Sequence, residues 1–468
     1  MLQDTYGLSV TTDSLLAIES IDRFTQQALS YGNQIPFYLF QGHAADRECA
    51  LLHAYTAAYY LTQEETRVRQ QAIHHLHLAQ QQLDQVTDRE RWTIQAIAAW
   101  AAGKIQQAIA LHRHIVEHYP QDLLAVQQAQ YHYFYQGDTQ QLLQVAEQVL
   151  LANLDNHYLY GMVAFGLEQC HHLSEAEEMA HRAIAINRND PWAHHAIAHV
   201  LETQGRIDEG IRWMEQHADT WEHCNSMLYT HNWWHIALFY LTKGAFQTVL
   251  QLYDRHVWGR ARKDSPKDQV GAIATLIRLE LQGVDVGARW QDLSGYLRPR
   301  LHEHLLPFQD LHYVYALARS GQTEQVTEML HSMHLHGQRL HPDLRKTWVE
   351  VAIPLAEGLA AYAIGQWFKA IAQFDAALPR IHQVGGSHTQ RNMFHQLYQT
   401  ALRKKHYQHI VISFFPRSPK RGPQANPKSN QPPMTSSLEG ARPVTPYAQS
   451  AAKLAMYRKI LRSGKHLV

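Results

Sequence analysis

Leu355-Ala-Glu-Gly-Leu-Ala-Ala-Tyr-Ala-Ile-Gly-Gln-Trp-Phe-Lys-Ala-Ile-Ala-Gln-Phe-Asp-Ala-Ala377 is the stretch that decides the fold. Gly358, Gly365, Ala370, Phe374 and Ala377 fall at the eighth, fifteenth, twentieth, twenty-fourth and twenty-seventh places of a helix–turn–helix unit about 34 residues long. Each type meets a packing need. Glycine permits the tight turn between the helices, and the small residues let the two helices approach closely. Five matches in order, with no strand-like alternation competing, predict a helical hairpin.

The same grammar recurs upstream. After Trp92, Gly103, Ala108 and Pro120 take the places of turn glycine, small packing residue and closing proline, proline being the residue that stops the second helix. Weaker copies surround Gly137, Ala176/Ala180/Ala183, Gly205/Gly210, Gly244 and Gly321. This is the pattern of tetratricopeptide hairpins, so the expected fold class is all-α, a right-handed superhelix over residues 1–415. At its start, Leu15, Ile18, Ile21 and Phe24 follow the cap cluster Thr11-Thr-Asp-Ser14, predicting a first helix there. A second is expected from Gly42 to Thr62 and a third from Glu65 to Val86. The basic run Gly259-Arg-Ala-Arg-Lys-Asp-Ser-Pro-Lys267 reads as an exposed connection, with helix resuming at Val270. Beyond Phe415 the composition turns to Pro, Ser and Asn: residues 416–447 read as a flexible linker and 448–468 as a basic helix or tail, with ten Lys or Arg and one acid from Arg417 onward.

Forty-two basic side chains balance forty-two acidic ones over 468 residues, so no long-range field gathers nucleic acid or an anionic membrane. Cys49, Cys170 and Cys224 have no paired spacing, which speaks against a disulfide framework or a thiolate zinc site. Met1-Leu-Gln-Asp-Thr-Tyr6 shows no basic region followed by an apolar core, and no stretch approaches about 18 uninterrupted apolar residues, so neither export nor membrane spanning is expected and a reducing cytoplasm is the expected setting.

The 34 histidines invite a metal reading. At that density chance alone places two or three pairs at i, i+4, and three occur: His114/His118, His195/His199 and His231/His235. Register says more than spacing. With Gly205 as turn glycine, His195, His199 and Glu202 form one stripe on the first helix of their unit, and first helices line the concave side of such superhelices. His231 and His235 follow thirty-six residues later, facing the same surface, although Gly244 as turn glycine would rotate that pair about 60° away. Two pairs with Glu202 could bind a divalent transition metal, since imidazole suits Zn, Fe, Ni and Cu. They could line a pocket for a small ligand or a peptide end, with Trp192 and Trp234 as apolar walls. They could also be a hydrogen-bonded network between stacked helices that does no chemistry. No His-Glu-x-x-His, phosphate loop or nucleophile elbow points to an enzyme.

Ala193-His-His-Ala-Ile-Ala-His-Val-Leu-Glu202, His231-Asn-Trp-Trp-His235, Asp254-Arg-His256, Arg289-Trp-Gln-Asp-Leu293, Asp310-Leu-His312 and Gly385-Gly-Ser-His-Thr-Gln-Arg391 together resemble the tetratricopeptide repeat protein 38 family. The resemblance runs in order from about Leu15 to about Leu402, and it implies a cytosolic helical superhelix of no established activity. The site residues it implies are His195, His199, Glu202, His231, Asn232, Trp234, His235, Asp254, His256, Asp310, His312, Gly386, Ser387, Gln390 and Arg391. Asn392 departs from the pattern, which carries an acid after the arginine. If the superhelix curls on itself, Gly385-Gly-Ser387 amides and Arg391 could clamp an anion opposite the His pairs, or Arg391 could pair with Asp310 or Asp254. The expected function is a binding protein holding a small acidic metabolite or peptide in a His-lined cavity. The alternatives are a metal-dependent enzyme, with His195, His199, His231 and His235 as ligands and Glu202 or Asp254 as base, and a plain protein scaffold with a collapsed cavity.

Overall fold

In the computed structural model the described residues are 1–414, and the expected linker 416–447 and basic tail 448–468 lie outside them. Leu2–Gln3 and Ser9–Val10 pair antiparallel at the start of the chain, a short hairpin the sequence pattern did not signal. All other regular elements among the described residues are helical.

Helices alternate in hairpins. Asp88–Ala101 is followed by Ile105–His118, Leu123–Gln136 by Thr139–Glu147, and His157–Gln169 by Leu173–Ile186. Pro191–Thr203 then precedes Ile207–His217, Ser226–Thr242 precedes Phe246–Leu252, Pro307–Arg319 precedes Thr323–Arg339, and Ile353–Ala363 precedes Trp367–Ala377. The turn glycines are as expected: Gly103, Gly137, Gly205, Gly244, Gly321 and Gly365 all have φ between +69° and +77°, a backbone region costly for side chains. The hairpin after Gln169 has no glycine at its turn, and His171 takes the left-handed conformation instead (φ +59°). Gly358 has a packing reason, since a Cβ there would lie 2.8 Å from the ring of Phe374.

The N-terminal expectations need two corrections. Leu15–Leu29 begins where predicted, with the Ser14 hydroxyl accepting from Ala17 N. The helix expected from Gly42 to Thr62 is two helices, Ile35–Ala45 and Ala50–Thr62. They are split where Asp46 turns extended (φ −151°) and its carboxylate accepts from Thr12 Oγ1 and Glu48 N. The third is shorter than expected, Arg69–Gln80 after a 3₁₀ turn at Thr66–Val68.

The array does not stay open. Asn33 N donates to His223 O, Asn225 N to Tyr31 O, Lys267 Nζ to Thr62 O at 2.9 Å, and Arg262 pairs with buried Glu65 at 2.7 Å. The basic connection after Trp258 is exposed at Gly259, Arg260 and Arg262 yet tied through Arg262 and Lys267 to an early part of the chain, and its helix begins at Pro266. Near the end of the array, His388 Nε2 meets Gln169 O at 2.9 Å, and the buried Arg278 donates to Thr389 O. The last described helix thus returns to the middle hairpins, and the concave side becomes a partly enclosed interior.

Candidate functional site

Four imidazoles meet inside that interior. His195 and His199 come from Pro191–Thr203, capped by Asp190, whose Oδ1 accepts from Trp192 N and Ala193 N. His231 and His235 come from Ser226–Thr242, capped by Asn225. The 17-residue length of that helix absorbs the register conflict, so the second pair faces the first instead of turning away. His199 Nε2 is 3.0 Å and His231 Nε2 3.1 Å from His195 Nε2, and one ligand atom from each of the four rings lies within 4.8 Å of the others.

A single ring nitrogen carries either a proton or a lone pair, so His195 Nε2 cannot make two full hydrogen bonds with these neighbours. At least one of the two short contacts lacks one. Other buried polar atoms are orphaned as well: Nδ1 of His195 and His199, both nitrogens of His235, and an oxygen each of Glu168, Glu202 and Asn232. Burial, with the mutual repulsion of the rings behind it, holds His195, His199 and His231 well below the ordinary imidazole range. They are neutral, the form that ligates metal.

Carboxylates stand behind two of the rings. Glu202 is 3.5 Å from His235 Nδ1 and Glu168 is 3.9 Å from His199 Nδ1, on the side away from the shared Nε2 atoms. At these distances neither contact is a hydrogen bond, so the carboxylates lie near the rings without bracing them as the acceptors behind ligating histidines do. Burial and the nearby Glu202 push the Glu168 carboxyl up to about 7, against the lowering effects of the Gln169 side chain and of Arg391.

The cluster forms part of the wall of a cavity of about 440 Å³. His195, His199 and His231 line it, with Tyr31, Tyr131, Phe165, Trp192 and Phe308 among its aromatic faces. Arg262 and Lys267 also reach it, but each is already paired, with Glu65 and Glu64.

The remaining expected residues divide. Ser387 and Gln390 line the cavity, yet they cap each other: Ser387 N donates to Gln390 Oε1 at 2.9 Å and Gln390 N to Ser387 Oγ at 3.3 Å. This capping box occupies the Ser387 amide, so the expected amide clamp for an anion is corrected. Arg391 likewise donates to Gly386 O and contacts His388 Nδ1. It pairs with neither Asp310 nor Asp254, and feels Glu168. The two glycines serve closure, since a Cβ on Gly385 would strike the Tyr135 backbone at 2.9 Å and one on Gly386 the Phe308 ring at 2.7 Å. Asn232 ties its helix to Pro191 O. Trp234 is no wall of the cavity: it stacks under His231, rings 5.0 Å apart, while Trp192 does line it.

Four expected residues lie elsewhere. Asp254 is half exposed and bonded to Arg289, so it cannot act as base on the cluster. His256 stacks on Trp233 at 3.7 Å and bonds the Tyr229 hydroxyl. Asp310 pairs with His304 at 2.5 Å. His312 is bonded through Nδ1 to Phe308 O and packs on Phe394. All four stabilise joints between helices.

No protein-family model matches the chain. Among solved structures it is similar to a Rap protein complexed with competence and sporulation factor, at 12% identity over 69% of this chain and 98% of that one, TM-score 0.41. It is also similar to a human IFIT1 dimer with m7Gppp-AAAA, at 13% identity over 87% and 90%, TM-score 0.42. A third is the TPR domain of P58(IPK), at 10% identity over 69% and 99%, TM-score 0.19. Similarities of that size say nothing of ligand or partner.

Sequence reasoning passed over Glu168, and a signal for it existed: Glu168 and Glu202 are thirty-four residues apart, one repeat, at equivalent places in successive first helices. It also passed over Arg278, whose guanidinium sits 5.2 Å over Trp234. No local pattern marks an arginine as buried.

Proposed function

We propose that the chain is a ligand-binding member of the tetratricopeptide repeat protein 38 family, its cavity built on a transition-metal centre. His195, His199, His231 and His235 hold a divalent ion such as Zn2+, and a small carboxylate-bearing metabolite or peptide end in the cavity reaches it as a fifth ligand. The family reading rests on the six sequence blocks in order. The metal reading rests on one observation: three neutral imidazoles, buried His195 and His199 and half-buried His231, meet through Nε2 atoms at 3.0 and 3.1 Å that cannot all hydrogen-bond. Tetrahedral zinc with Zn–N of about 2.0–2.1 Å sets its donors about 3.3–3.4 Å apart, close to that arrangement. An ion would use the lone pairs that now oppose each other, and Glu168 and Glu202 would offset its charge.

The preference for an anionic ligand follows from the ion, because Arg262 and Lys267 on the wall are already paired. Untagged protein, stripped of metal and reloaded with Co2+, tests both parts. Measured in the His75→Ala protein, saturable uptake lost on adding His199→Ala supports the centre, and a change in the Co2+ absorption bands on adding acetohydroxamate supports an exchangeable position facing the cavity. Uptake that His199→Ala leaves unchanged contradicts the centre. Bands indifferent to acetohydroxamate contradict the ligand reading.

A further inference from the structure

A second group of imidazoles lies outside the cavity. His43, His53 and His75 come from three different helices, Ile35–Ala45, Ala50–Thr62 and Arg69–Gln80, so helical spacing does not account for their meeting. One ligand atom from each lies within 4.8 Å of the others, and the His53 and His75 Nδ1 atoms are 2.9 Å apart. None of the three lines the cavity. His53 is buried, whereas His43 and His75 are partly exposed, so the cluster opens toward solvent on one side.

The hydrogen bonds behind these rings decide where their lone pairs point. His53 Nε2 is 2.9 Å from Arg47 O; a carbonyl only accepts, so Nε2 carries the proton and Nδ1 the lone pair. His43 Nε2 is 2.8 Å from Thr56 Oγ1, and that hydroxyl donates its own hydrogen to Leu52 O at 2.7 Å. His43 Nε2 must therefore be the donor, which leaves its Nδ1 unprotonated. Two rings are thus locked in the tautomer that offers Nδ1 as a ligand, each braced by an acceptor behind it, as ligating histidines are. Burial, then the neighbouring imidazoles, bring His43 and His75 down to about 4, and burial also lowers His53. The rings are neutral at ordinary pH, with Asp46 close enough to be felt by His43 and His53.

We infer that His43, His53 and His75 form a second, three-imidazole site for a divalent transition metal, bound through Nδ1 of His43 and His53 and a ring nitrogen of His75, with a coordination position left to solvent. Three protein ligands and an open position make a site that exchanges water or a small anion, unlike a closed structural site.

The test is a Co2+ titration of the full, untagged, metal-free chain, followed by absorption and equilibrium dialysis. The parent takes up two equivalents. His75→Ala takes up one, with the cavity equivalent intact, and His195→Gln loses the other. Thr56→Val, which keeps every ligand but removes the brace on His43, retains two equivalents with the second weakened about 10- to 100-fold. If His75→Ala does not fold, His43→Gln at a partly exposed position reads the same loss. A parent that binds one equivalent, lost in His75→Ala and kept in His195→Gln, upholds this site while the cavity centre fails. Equal stoichiometry in parent and His75→Ala, or Thr56→Val indistinguishable from the parent, overturns the inference.

Discussion

Replacing His195 with glutamine separates a metal centre from a hydrogen-bonded network. Its Nε2 stands 3.0 and 3.1 Å from His199 and His231, and a glutamine amide at that place can donate to one ring and accept from the other. A network would keep its bonds, so the metal-free variant should hold its stability within about 1 kcal/mol. A metal centre would lose one of four ligands, because a neutral amide is a poor ligand for zinc. With free Zn2+ at a thousand times the parent Kd, binding stabilises the fold by about 4.1 kcal/mol; a hundredfold weaker variant keeps about 1.4 kcal/mol at the same free Zn2+. The difference of about 2.7 kcal/mol is small on a melting curve. Residues 1–414 form one unit, and at about 2.1 cal/mol/K per residue each kcal/mol moves Tm by roughly 1 °C. Repeat arrays can also unfold piecewise. Competition against a chromophoric chelator reads the hundredfold factor directly, with His75→Ala in both proteins to remove the second site. Equal Zn2+ affinity in parent and variant would refute the reasoning.

Gly386→Ala sets a Cβ 2.7 Å from the Phe308 ring at φ +84° and should cost about 1–3 kcal/mol, read by urea denaturation; a stability unchanged within error would show that the seam is not packed as described. Glu64→Gln should cost about 2–3 kcal/mol, because its buried carboxylate accepts from the hydroxyls of Tyr131 at 2.8 Å and Tyr135 at 3.0 Å and pairs with Lys267 at 3.2 Å. Faster amide hydrogen exchange in Leu123–Gln136 and Pro307–Arg319 would accompany it. His112 is buried with neither ring nitrogen bonded, and burial brings it from 6.5 down to about 4. As pH falls from about 6.5 the unfolded chain takes that proton first, so stability drops until about pH 4, by up to about 1.4 kcal/mol per pH unit for each such proton. His112→Leu should remove one proton's share of that slope and leave stability at neutral pH unchanged or higher, as pH-dependent denaturation would read.

Hairpins were legible because each rests on local rules. Gly205, Gly244, Gly321 and Gly365 stand where only a residue tolerant of positive φ turns cheaply, and Gly358 stands where Phe374 needs room. Closure was not local. Lys267 reaching Thr62 and His388 reaching Gln169 join residues about two hundred positions apart, and no periodicity encodes such pairs. The His pairs show the same division. Register placed His195 and His199 on the concave face, while the added length of Ser226–Thr242 brought His231 and His235 opposite them. Spacing alone does not tell the pairs apart, since His114/His118 has the same i, i+4 spacing on the second helix of its hairpin, away from the cavity and with Glu117 exposed beside it.

Blocks taken from the family resemblance proved mixed for a structural reason. His195, His199 and His231 line the cavity and His235 completes the cluster, but Asp254, His256, Asp310 and His312 lock helices to one another. A polar residue that satisfies a buried joint is as constrained as one that holds a ligand, and sequence does not distinguish them. The second cluster escaped because its three imidazoles lie on three helices, one of which the sequence pattern had merged with its neighbour.

That four imidazoles share one ion is tested most directly by anomalous diffraction from crystals of the untagged protein grown with Zn2+. The expected result is a zinc-edge peak about 2.0–2.1 Å from Nε2 of each of His195, His199, His231 and His235. A map with no peak among those four rings, at a Zn2+ concentration that fills other sites, would contradict it.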